Sequence, residues 1–228
     1  MSEIKHPAHL EAEKSPVDEL QKFWVRWGKQ ASYGLLVIAI LVAGYLGYKN
    51  FISEPKEAEA NNAIWPAQEH YRMDSIRLAL NGQDLKSDIG FLKVMSRYSG
   101  TKAANLASFY AGSCYLKLGD FNNAVKYLKD FSTPVKQLQI RAYGLLGDAY
   151  SELNKKEEAL EQYKKAGTYY DKDEVFSPEY LFRCGALYET MGRTQDAIAM
   201  YKIIKDKYPS TPRGAEIDKY LARLGVTQ

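Results

Sequence analysis

A Gly-x-x-Tyr pair recurs three times, at Gly112–Tyr115, Gly147–Tyr150 and Gly185–Tyr188. Nine residues after each tyrosine stands an alanine: Ala124, Ala159 and Ala197. Four residues further on stands a large apolar side chain: Leu128, Tyr163 or Tyr201. The glycines are 35 and 38 residues apart. Small residues at fixed distance from large ones predict helical hairpins: the glycine and alanine let two antiparallel helices cross closely, and the aromatics fill the space around the crossing. The turns fall at "LGDF", "LNKK" and "MGRT".

This pattern resembles the tetratricopeptide repeat, a helix-turn-helix unit, over about 105 to 211. The third copy ends in "KYPST", with Pro209 at the family's closing proline, and a spacer, "YYDKDEV", precedes it. The first copy is the weaker match, with Ser108 and Ala111 at positions that are normally larger. After the third copy, Ala215, Ile217, Tyr220, Leu221 and Leu224 make one apolar face, and Gly225 stands where a C-cap glycine belongs. That segment reads as the capping helix of a repeat array. Residues 53–101 read as one long helix with a possible bend at Pro66, a break at "NGQD" and a second helix, "IGFLKVMSRYSG". They are either a divergent helical hairpin or a stalk.

The N-terminal part carries a different signal. No charge falls between Lys29 and Lys49, and the middle, Leu35 to Val42, is apolar all round. Gln30 to Tyr48 is 19 uncharged residues, close to the ~20 that a helix needs to cross a bilayer core. Trp24, Trp27, Tyr45 and Tyr48 flank it as an aromatic belt would. About thirty residues precede it, among them Glu3, Glu11, Glu13, Asp18 and Glu19, unlike the short basic start of a secretory signal. The expectation is a retained single-pass anchor at 31–52, behind a cytoplasmic tail at 1–30. Lys22, Arg26 and Lys29 outweigh Lys49 and Lys56 near the membrane, which keeps the N-terminus inside and sends the C-terminal part across. Ala39, Ala43 and Gly47 form a small-residue stripe on which another membrane helix could dock.

The expected fold is therefore all-α: one transmembrane helix, then a tetratricopeptide-repeat α-solenoid over 102–228 with a capping helix. Charge and chemistry narrow the function. A net charge of +3 without a basic stripe gives no support for nucleic acid. Cys114 and Cys184 fall in first helices two repeats apart, where they read as buried thiols, not as a disulfide or a zinc site. His6 and His9 read as solvated tail residues. No phosphate loop, metal motif or nucleophile elbow is present, so the reading has no enzyme, no cofactor and no small-molecule substrate.

Binding of polypeptides is what remains. In such arrays the first helices line the groove. The expected groove residues are Phe109, Ser113, Leu116 and Lys117, then Arg141, Asp148 and Ser151, then Phe182, Ala186 and Glu189. They mix aromatic, apolar and charged types, and lack the Lys and Asn set of the carboxylate-clamp repeats. The layout of tail, anchor and repeat array resembles the YfgM-like family of bacterial inner-membrane proteins that accompany the SecYEG translocon. That resemblance implies a periplasmic array, partnership with a PpiD-like chaperone, and assistance to secreted polypeptides. A scaffold in cell division, secretion or outer-membrane assembly is the alternative.

Overall fold

A computed structural model describes residues 16–83 and 88–226. His6 and His9 lie outside them. The chain divides into two units, 1–54 and 55–228.

In the first unit, α1 (Pro16–Tyr48) is one helix of 33 residues, about 50 Å long at 1.5 Å per residue. It begins some fifteen residues before the expected anchor, because "VDELQKFWVRWGK" is rich in helix formers and Pro16 sits at the helix start, where a missing N–H costs nothing. A π-helical turn follows at Lys49–Ser53. Among the described residues this is the one helix apolar and long enough to cross a membrane. Leu35, Leu36, Val37, Ile38, Ile40, Leu41 and Val42 are all exposed on it, as lipid-facing side chains are.

The second unit is a run of helices: α2 (Glu54–Arg72), α3 (Ile76–Asn81), α4 (Phe91–Arg97), α5 (Lys102–Lys117), α6 (Phe121–Leu128), α7 (Lys136–Glu152), α8 (Lys156–Thr168), α9 (Ser177–Thr190), α10 (Thr194–Lys207) and α11 (Pro212–Arg223). No strand occurs among the described residues; one isolated bridge joins Gly82 and Ile89. The hairpins are α5–α6, α7–α8 and α9–α10, each packed on the next, with α11 closing the end.

The repeated glycines do what their spacing predicts. A Cβ on Gly112 would lie 2.5 Å from Leu128 Cγ, on Gly147 2.6 Å from Tyr163 Cδ1, and on Gly185 2.3 Å from Tyr201 Cε1. Each large residue fills the notch left by the glycine of its own hairpin. Ala124, Ala159 and Ala197 are fully buried at the same crossings.

Each first helix ends in the same way. Gly119, Asn154 and Gly192 adopt positive φ, and the next N–H reaches back to the carbonyl of Tyr115, Tyr150 or Tyr188 at 2.9 Å. This left-handed closure satisfies carbonyls that the helix end would leave unpaired. The tyrosine is thus also the residue whose carbonyl closes the turn. The spacer before α9 supplies a cap. Its buried Asp173 carboxylate accepts the N–H groups of Phe176 (2.5 Å) and Ser177 (2.9 Å), holding the helix start from outside.

The described residues of 54–98 open on the same turn, and we propose a fourth hairpin there. Asp74 takes the positive φ, and Ser75 N–H bonds the His70 carbonyl at 2.8 Å. Counting back and forward from that turn places Ala67 at the glycine position and Ala79 at the alanine position, both fully buried. Ala60, Ile64 and Ala67 of α2 share one core with Phe91, Val94 and Ala107 of α4 and α5. Glu57 of α2 caps α5, accepting Lys102 N–H at 2.8 Å and Ala103 N–H at 3.1 Å. These contacts tie α2 to α4 and α5.

Candidate functional site

Successive first helices, α2, α5, α7, α9 and α11, meet along one face, here called the inner face. Charged and aromatic side chains join them in pairs. Between α2 and α5, Lys117 Nζ donates to Asp74 at 2.7 Å and lies 5.1 Å from the Tyr71 ring. Between α7 and α9, Arg183 Nη1 donates to Asp148 Oδ1 at 2.6 Å. Between α9 and α11, Arg213 Nε donates to Glu179 at 2.7 Å, and Arg223 Nη2 to Glu189 at 2.8 Å. The result is a ladder of cations along the stacked helices.

The second helices support this ladder from below. Tyr163 of α8 donates its hydroxyl to Asp148 at 2.7 Å, and Tyr201 of α10 to Glu189 at 2.5 Å. Both phenols are held well above the ordinary tyrosine range, first by burial and then by the neighbouring carboxylate. Tyr180, buried against Gly144, is pushed up to about 12, mainly by burial and then by Asp148. For Glu179, burial opposes its charge, but hydrogen bonds and attraction from Arg213 and Arg183 win, and its carboxyl titrates below the usual value.

The expected groove residues separate into groups. Phe109 is 1% exposed and Ser113 3%. Phe109 packs on Phe131 at 5.3 Å, and the Ser113 hydroxyl bonds the Tyr71 hydroxyl at 2.7 Å. Both are interior residues and cannot be groove contacts. The helix period explains the error: α5 carries core on two sides, toward α4 and toward α6–α7, so a face that is open in a terminal helix is covered here. Lys117, Asp148 and Glu189 do reach the inner face, but within ion pairs. Leu116, Ser151 and Ala186 are half-buried beside them. Phe182 is half-buried between Tyr220 (4.8 Å) and the Arg213 guanidinium (4.1 Å). Arg141 lies between the Phe109 and Phe176 rings.

Glu179, Arg183, Arg213 and Arg223 were not among the expected residues. Their signal was available, because partners recur about one repeat apart: 148 with 183, 179 with 213 and 189 with 223. Cys114 and Cys184 are free and fully buried, their thiols pushed up to about 12 by burial, which makes them poor nucleophiles. On α1, Ala39 and Ala43 are exposed and Gly47 half-exposed, with nothing within 4 Å of a Cβ built on Gly47.

Comparison with known families agrees with this geometry. Residues 106–133, 140–170 and 179–211 match models of the tetratricopeptide repeat. These three segments are similar to tetratricopeptide repeats. The matched segments coincide with the three regular hairpins. No curated protein matches the chain. Arrays of this type are generally protein-interaction scaffolds.

Proposed function

We propose that the protein is an inner-membrane accessory of the SecYEG translocon: α1 holds the repeat array at the bilayer on the periplasmic side, and the array binds secreted polypeptides together with a PpiD-like chaperone. The observation that carries the reading is the combination of one lipid-suited helix with a polypeptide-binding array in the same chain. The layout resemblance supplies the translocon. A partly aromatic inner face with both charge signs suits segments of varied sequence, as a client binder needs. Ala39, Ala43 and Gly47 offer the small-residue face against which a translocon helix would pack.

Affinity purification of the full chain from mild detergent tests the partner. Translocon subunits should co-purify, and Ala43→Leu with Gly47→Leu should remove them while membrane insertion persists. Recovery of division or outer-membrane assembly components instead would replace the translocon with a scaffold role. A reporter fused after Gln228 tests the topology, and activity in the cytoplasm would refute it.

A further inference from the structure

Arg141 is the exception in the ladder. Lys117, Arg183, Arg213 and Arg223 each meet a carboxylate on a neighbouring first helix or its closing turn. At the α5–α7 step no such pair exists among the described residues. Arg141 crosses that step instead through rings: its guanidinium lies 5.8 Å from the Phe109 ring centroid and 5.7 Å from that of Phe176. Such contacts stabilise the cation from the sides. They offer no acceptor for its N–H groups, which in a guanidinium lie in one plane suited to a carboxylate. The side chain is half-buried, so it has given up part of its water without gaining a counter-charge. The carboxylates nearest along the face, Asp148 and Glu179, are taken by Arg183, Tyr163 and Arg213.

Resting on the reading of the array as a polypeptide binder, we propose that Arg141 anchors bound segments through an internal Asp or Glu side chain, with an apolar neighbour of that residue against Phe176. The choice follows from charge complementarity. A basic segment would have to break an existing ion pair to find an acid. A polyanion such as nucleic acid needs several unmatched cations, and this face has one among the described residues. A chain-terminal carboxylate calls for further Lys and Asn donors that surround it, and the inner face lacks that set.

The test uses the full chain in detergent micelles and a phage-displayed library of random decapeptides. Wild-type protein should enrich peptides with one Asp or Glu beside an apolar residue. Arg141→Gln should lose the acidic preference, and Arg141→Glu should replace it with Lys or Arg. A synthetic peptide from the enriched set should bind Arg141→Gln roughly 10- to 100-fold more weakly, as loss of a charged hydrogen bond does. Arg141→Lys keeps the charge and should retain the preference, so the answer does not depend on one variant folding. Enrichment without acidic residues, or an acidic preference that survives Arg141→Gln, overturns the anchor and leaves the polypeptide-binding reading intact. Enrichment of no peptide above background overturns both.

Discussion

The first hairpin and the last start from the same plan and end differently. In α9–α10 a glycine, a tyrosine and an alanine are followed by Tyr201, which fills the notch at Gly185 and donates to Glu189. In α2–α3 the corresponding offsets hold Ala67, His70 and Ala79, but the large position falls on Gln83, which is exposed. The second helix stops at Asn81, and the chain crosses itself so tightly that a Cβ on Gly90 would lie 2.4 Å from the Gly82 nitrogen. It resumes as α4 and reaches Tyr98 nineteen residues after Ala79, where Tyr208 comes eleven after Ala197. Both arms then finish alike: Thr101 and Thr211 each bond the carbonyl of Tyr98 or Tyr208 at 2.8 Å and cap the next helix. The difference teaches that the turn and the cap are shared by the two hairpins, while of the two only the last has the large residue at the crossing.

The strongest way to break the comparison is to remove that residue. Tyr201→Ala should cost about 3–5 kcal/mol, a fall of the order of 10 °C in thermal midpoint for an array of this size. Gln83→Ala at the matching offset should change stability by less than about 0.5 kcal/mol. Gly147→Val attacks the same crossing from the other helix. The Tyr163 ring is pinned by its bond to Asp148 and cannot swing away, so overpacking should cost about 1–3 kcal/mol in chemical denaturation.

Alkaline titration probes the phenols buried in the regular hairpins. Tyr163, Tyr180 and Tyr201 all hold their protons more tightly when folded. Their contribution is complete below the unfolded value near 10 and is lost as pH rises above it, at up to about 1.4 kcal/mol per pH unit for each. Thermal midpoints should therefore fall steeply from about pH 10 to 12, and less steeply in Tyr163→Phe. The smallest effect sharpens the turn comparison. Gly119→Ala places a side chain at φ +78° and should cost about 1 kcal/mol, whereas Asn154→Gly should be neutral or slightly stabilising in the same assay.

Much of this was legible beforehand. The three regular hairpins, the glycine–aromatic pairs and the apolar anchor candidate follow from residue type and spacing. The proposed fourth hairpin is legible in part: Ala67 and Ala79 keep the spacing, but "NGQD" hides it because the insertion breaks the count to Tyr98. The groove was the least legible. Phe109 and Lys117 are two helical turns apart on α5, yet one is core and the other surface.

The amino-acid order alone determined the helices, their hairpin pairing and, among the described residues, the one helix apolar and long enough to cross a membrane, because helix periodicity, turn residues and small–large complementarity are local properties. Only the tertiary structure decided which side chains face outward and which charges are already matched. Burial on a helix with neighbours on two sides, and pairing between residues a repeat apart, depend on how the hairpins stack.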